Sequence, residues 1–214
     1  MRKMKKEKII TTDKPELFAA ANSGKGFTSF YGEIFNSDSI KRRYLIKGGP
    51  GTGKSTFMRR VAVAAEGKGD LVEYYRCSSD PSSLDGIIIN KTVAIIDSTA
   101  PHSEEAELVG AKDSLIDLGA FWNTDRLRER VDEIERFSKA KKDSYARAYR
   151  FLGAAMQSDL AARDIIYPYI DQKRLKALAK RLFGRALSDG EYLCKTGILR
   201  AIGMSGKSYL DSYE

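Results

Sequence analysis

Histidine is almost missing from this chain: His102 is the only one in 214 residues, which excludes a histidine-based metal cluster. Cysteine is nearly as scarce, with Cys77 and Cys194 far apart and outside any C-x-x-C pattern. That usage suits a reducing, cytoplasmic setting and offers no thiolate metal site. No run of about 18 apolar residues occurs, so no transmembrane segment is expected. The opening MRKMKKEKII has five basic groups against one acid and lacks the apolar core of a signal peptide. What the chain does have is basic charge, Lys+Arg 37 against Asp+Glu 29, for a net +8. Such an excess attracts nucleic acid, acidic lipid headgroups or nucleotide phosphates alike. Nucleic acid is not favoured, because no recognition motif accompanies the charge.

The most informative stretch is RRYLIKGGPGTGKSTFMRRV, starting at Arg42. Within it Gly48, Gly49, Pro50, Gly51, Thr52, Gly53, Lys54 and Ser55 match G-x-x-x-x-G-K-[ST], the phosphate-binding P-loop or Walker A motif. Tyr44 to Lys47 reads as a buried strand and Thr56 to Ala65 as a helix, which is the context the motif requires. Glycines allow the backbone to curl around a polyphosphate, with its N–H groups and the helix N-terminus aimed at the anion. Lys54 adds a point charge toward the β- and γ-phosphates, and Ser55 can ligate Mg²⁺.

Residues 1–16 read as a basic arm, 17–123 as the nucleotide-binding core and 124–184 as a helical block serving as lid or docking element. Within the core, Leu17 to Ala21 predicts a short helix and Phe27 to Phe35 an aromatic-rich strand. Leu71 to Cys77 predicts the second strand, Ser78 to Gly86 a loop, and Thr92 to Ile96 a third strand running into Asp97. A helix is expected from about Ser103 to Leu118, with Gly119 capping its end. In the helical block, Leu127, Val131 and Ile134, then Tyr145, Tyr149, Leu152 and Met156, then Leu175, Leu178 and Leu182 recur at helical spacing. Two or three helices follow, one restarted at Pro168. Leu17-Phe18-x-x-Ala21-x-Ser23 recurs as Leu182-Phe183-x-x-Ala186-x-Ser188, and Ile198 to Ser208 aligns with Leu45 to Ser55, keeping Gly-Lys-Ser at Gly206, Lys207 and Ser208. Residues 185–214 thus read as the start of a degenerate second P-loop half that could complete the sheet.

Asp97 stands 43 residues after Lys54 at the end of an apolar strand, the place for a Walker B carboxylate that holds Mg²⁺ opposite Ser55. Ser98 and Thr99 follow it, so no adjacent Glu supplies a catalytic base. Asp80 and Asp85, after the second strand, could orient an acceptor hydroxyl; both also sit in ordinary turn dipeptides. Glu104 and Glu105 are alternative bases, and His102 could reach a γ-phosphate. Arg126, Arg128, Arg130, Arg147 and Arg150 could each clamp transition-state charge, although a solvated helix face is the default. Tyr145 and Tyr149 read as core-facing rather than base-stacking.

With GGPGTGKST, CSSDPSSLDG and VAIIDSTAPH in order, the chain resembles an uncharacterised bacterial P-loop ATPase family, sometimes labelled nucleotide kinases, in which two P-loop halves occur in tandem. The resemblance covers Leu17 to Trp122. It implies ATP binding at Gly48 to Thr56 and a Walker B role for Asp97. Two departures stand out: Ser98 occupies a position where a glycine is expected, and the second half stops just after its degraded loop. The expected fold class is α/β, a P-loop NTPase three-layer sandwich with a largely parallel sheet and an inserted or appended helical block. The expected function is Mg²⁺-ATP binding and hydrolysis. The alternatives are a small-molecule or nucleoside kinase using Asp80 or Asp85, and a non-hydrolysing switch that presents the helical block to a protein partner.

Overall fold

In a computed structural model, residues 16–100, 104–186 and 201–202 are described. Residues 1–15 of the basic arm, His102, Cys194 and the second Gly-Lys-Ser lie outside them. Short apolar runs supply the strands: β1 (Glu16–Phe18), β2 (Ala20–Ser23), β3 (Gly26–Ser29), β4 (Arg42–Lys47), β5 (Val72–Arg76), β6 (Leu84–Ile89), β7 (Val93–Asp97), β8 (Asp113–Asp117) and β9 (Ala201–Ile202). Seven of them form one sheet in the order β8-β4-β7-β6-β5-β1-β9, while β2 and β3 make a separate hairpin. β4 runs parallel to both β7 and β8, and β1 runs parallel to β5. Only β6 and β9 are reversed within this sheet, so it is mostly parallel.

Both faces are apolar, as buried, mostly parallel strands require. Successive residues alternate between them: Leu45, Tyr75, Ile88 and Ile96 face one way, and Ile46, Tyr74, Ile87 and Ile95 the other. The second face is covered by helix α2 (Lys54–Glu66) through Met58, Ala62 and Ala65. The first is covered by helix α1 (Tyr31–Phe35) and residues of the hairpin. The arrangement is α/β and compatible with a three-layer sandwich. Phe35 stacks edge-on against Tyr31 and Tyr75, at 5.2 and 5.0 Å between ring centres. Gly86 makes room for it, since a Cβ there would lie 2.6 Å from the Phe35 ring.

Four local expectations are corrected. Leu17 to Ala21 is not a helix but the end of β1 and the start of β2, where sheet and hairpin pairing override alanine-rich helical propensity. The strand expected over Phe27 to Phe35 stops at Ser29 and gives way to α1. The loop expected through Gly86 ends earlier, because β6 begins at Leu84 and pairs with both β5 and β7. Finally, the helix expected up to Leu118 is a loop from residue 104 followed by β8. Gly110, at φ +81°, turns this loop out of helical geometry, and Asp113 is drawn into the sheet by Arg43.

Beyond β8 come α3 (Thr124–Arg128), α4 (Val131–Ile166) and α5 (Gln172–Ala186). Asn123 caps α3 by accepting the Arg126 N–H at 3.1 Å. Pro168 lies in a 3₁₀ turn between α4 and α5, ahead of the helix it was expected to begin. α4 meets the core at the β2–β3 turn. A Cβ on Gly24 would sit 2.5 Å from Met156 Cβ and 2.9 Å from the Leu152 carbonyl oxygen. Tyr149 adds a hydrogen bond from its hydroxyl to Asn22 Oδ1 at 2.6 Å. Among the described residues, no helix is long and apolar enough to cross a membrane.

Candidate functional site

The glycine-rich segment Gly48 to Ser55 leaves the C-terminal end of β4 and feeds directly into α2. Gly51 and Gly53 take φ of +79° and +87°, conformations that side-chain-bearing residues rarely adopt. The loop folds back on itself: Thr52 Oγ1 donates to the Gly49 carbonyl at 2.8 Å, and Thr99 Oγ1 reaches across from beyond β7 to the Gly48 carbonyl at 2.9 Å. Lys54 curls over the loop, donating to the carbonyls of Gly48 and Gly49. Its Nζ lies 3.5 Å from Asp97 Oδ2. That pairing follows from sheet topology, since parallel β4 and β7 are neighbours and both release their loops at the same edge.

Asp97 is further fixed by the Thr99 N–H, which donates to Oδ1 at 3.0 Å. Ser55 Oγ accepts the Leu84 N–H at 3.0 Å, tying the start of α2 to β6. A cavity of about 580 Å³ opens between these groups, lined by Pro50 to Thr56, Cys77, Ser79, Asp80, Ser83, Asp85, Asp97, Thr99 and Ala100. Lys141 and Tyr145 of α4 close one side. This brings a helical-block cation to the same cavity as Lys54.

Asp85 owes its position to a β-bulge. Tyr75 pairs with Gly86 and Arg76 with Leu84, which leaves Asp85 as the extra residue on β6. Bulges re-aim side chains in this way. The carboxylate is buried, only 3 % exposed, beside Tyr31 and Cys77. Burial, reinforced by the Asp85 charge, pushes the Tyr31 phenol well up, and the same two causes push the Cys77 thiol up to about 11.

The other sequence candidates are dispersed. Asp80 lines the cavity, but its Oδ1 accepts both the N–H and the hydroxyl of Ser82, an ordinary turn. Glu104 and Glu105 do not line it; burial raises the Glu104 carboxyl, and Glu105 lies 4.0 Å from Lys47 on the surface. Arg126 and Arg130 line a second cavity, and Arg128 pairs with Asp125 at the surface. Arg147 and Arg150 reach neither cavity. Tyr149 does contact the core, whereas Tyr145 faces the cavity beside the loop, against expectation. Ala201 and Ile202, aligned above with the first two loop residues, form an edge strand antiparallel to β1.

Sequence reading missed Lys141, Thr99 and Trp122. Trp122 follows β8, and its six-membered ring lies against Gly49, so close that a Cβ there would be 2.8 Å away. Only the parallel β8–β4 pairing brings these residues together, and no local motif announces it.

Within the described residues no group of three or more His, Cys, Asp or Glu could hold a metal unaided. Ser55 and Asp97 remain compatible with Mg²⁺, which typically takes one or two protein ligands and completes its shell from water and substrate phosphates. Fold and site together define an α/β protein with a mostly parallel sheet and a glycine-rich strand-to-helix loop at its edge. No protein-family model, curated protein or solved structure matches the chain.

Proposed function

We propose that this chain is a P-loop NTPase that binds Mg²⁺-ATP at Gly48 to Thr56 and hydrolyses it. The observation that carries the reading is the meeting of Lys54 and Asp97 at 3.5 Å over a loop whose glycines hold left-handed geometry. Bound Mg²⁺ would supply positive charge that offsets the charge of the phosphates. Ser55 and Asp97 would hold that ion. Lys54 would exchange its carbonyl partners for β- and γ-phosphate oxygens, a stronger charge-assisted contact. Lys141 would add a second cation from α4, so that nucleotide and helical block engage each other. The tandem P-loop ATPase family that the sequence resembles is part of the same proposal.

A kinase reading is supported by Asp85. Its bulged, buried carboxylate lines the cavity, where it could orient an acceptor hydroxyl.

Following γ-labelled phosphate with and without candidate acceptors tests these readings. Free phosphate released from ATP alone supports the ATPase, and label appearing only in an added metabolite supports the kinase. Tight binding with neither outcome overturns both in favour of a switch. Lys54→Ala should weaken ATP binding at least about thirtyfold, the effect of truncating one member of a desolvated charge contact. Unchanged ATP affinity in the folded variant would sink the site.

A further inference from the structure

A second cavity, of about 460 Å³, is lined by Trp122, Asn123, Arg126, Leu127, Glu129 and Arg130. Trp122 belongs to both neighbourhoods, because its indole edge packs on Gly49 of the glycine-rich loop while its body walls this cavity. We propose that this cavity is the subsite for the planar base of a nucleoside triphosphate whose phosphates occupy the loop. The inference rests on the phosphate-binding reading of Gly48 to Thr56.

Position is the first argument. β8 flanks β4 on the side away from β7, and the Leu118 N–H donates to the Lys47 carbonyl, so the segment after β8 starts level with the loop. From Trp122 the cavity runs along the five residues of α3, about 7.5 Å of helical rise, to Arg130 just beyond its end. That span accommodates a ribose and base extending from phosphates held at the loop.

Chemistry is the second. Aromatic and guanidinium planes both stack on bases. Trp122 and Arg126 offer one of each, with Leu127 as an apolar wall. The Asn123 amide and the Glu129 carboxylate supply hydrogen-bonding groups for a base edge. Trp122 is 43 % exposed, so much of its ring is open to a ligand. It is also the sole tryptophan of the chain, which makes its fluorescence a local probe.

The test compares ATP with inorganic tripolyphosphate, which has the phosphates and no base. Affinities are measured by calorimetry on the full chain, its Trp122→Ala variant and its Trp122→Phe variant. Trp122→Ala should weaken ATP about tenfold and leave tripolyphosphate unchanged, and Trp122→Phe should recover most of the loss, since stacking survives. In the unmodified chain, ATP should change Trp122 emission more than tripolyphosphate does. Unaltered ATP affinity in Trp122→Ala overturns the base subsite and leaves the phosphate site standing. Equal losses for both ligands also overturn it, assigning Trp122 to supporting the loop through Gly49. If the unmodified chain binds neither ligand, the phosphate reading fails, and this proposal with it.

Discussion

Arg43 and Arg130 each hold a carboxylate at 2.7 Å, yet they do so in different kinds of structure. Arg43 pairs with Asp113 between β4 and β8, where both side chains are essentially removed from water, and two parallel hydrogen bonds link them. Arg130 pairs with Glu133 at the start of α4, where the arginine is 67 % exposed. The contrast extends through both regions. The sheet and its flanking helices bury their apolar residues on two faces. α4 keeps Val131, Ile134, Phe137, Phe151, Ile165 and Ile166 exposed and meets the core mainly at the β2–β3 turn. The core is therefore held by burial and by the buried Arg43–Asp113 pair, and the helical block by its own backbone and a narrow seam.

The largest expected effect is in the core. Asp113→Ala strands the Arg43 guanidinium in the interior and removes acceptors for the Glu107 and Leu108 N–H groups. Loss of one partner of a buried pair costs about 3–5 kcal/mol. Removing the Arg130–Glu133 pair by Arg130→Ala should cost about 1 kcal/mol or less. Urea denaturation of both variants measures the difference, and equal losses would break the comparison. The core pair also predicts a pH dependence. The Arg43 hydrogen bonds, assisted by the two backbone donors, hold Asp113 well below the usual carboxylate range. A depressed folded pKa means that the unfolded chain takes up the proton first, so stability is fully present above about pH 5 and fades as pH falls below about 4. Asp113→Ala should flatten that acid limb.

Next comes the seam. Gly24→Val forces a side chain into the Leu152 carbonyl and Met156, overpacking that typically costs about 1–3 kcal/mol. The loss should fall on the docking of α4, read as faster amide exchange around Leu152 while exchange in β4 and β7 is unchanged. Uniform acceleration through the sheet would show that block and core open as one unit. The seam also leads to the cavity: Tyr149 bonds Asn22, whose amide donates to the Ser78 carbonyl at 3.2 Å, one residue from Cys77.

What the sequence disclosed follows the same division. β7 and the Tyr44–Ile46 centre of β4 were legible because two-sided burial writes itself as a short apolar run, and the loop between β4 and α2 because Gly-x-x-x-x-Gly-Lys-Ser is a local pattern. Leu127, Val131 and Ile134 likewise carry a helical period without needing a partner. β8 was misread because Glu-Ala-Glu-Leu and its neighbours favour a helix, and the deciding contact, Asp113 on Arg43, joins residues 70 apart. Asp85 was legible as a candidate carboxylate, but the bulge that aims it belongs to a strand pairing with no local signature. Trp122 and Lys141 reach the loop only through tertiary placement.

The smallest expected effect lies where the two regions face each other across the cavity. The Cys77 thiol is pushed up to about 11, chiefly by burial and secondly by the negative charge of Asp85. At pH 8 only about one thiol in a thousand is then ionised, and alkylation should be slow, because the thiolate is the reactive form. Asp85→Asn keeps the shape and removes the charge. The Cys77 pKa should fall, and alkylation at pH 8, followed on the Cys77 peptide by mass spectrometry, should rise severalfold. It should not reach the rate of an exposed thiol, since the larger cause, burial, remains. Gly24→Val then separates the sources of that burial. If the core shelters Cys77, loosening α4 leaves its rate unchanged; if Lys141 and Tyr145 shelter it from above, the rate rises in this variant too, and the helical block is a wall of the cavity rather than an appendage beside it.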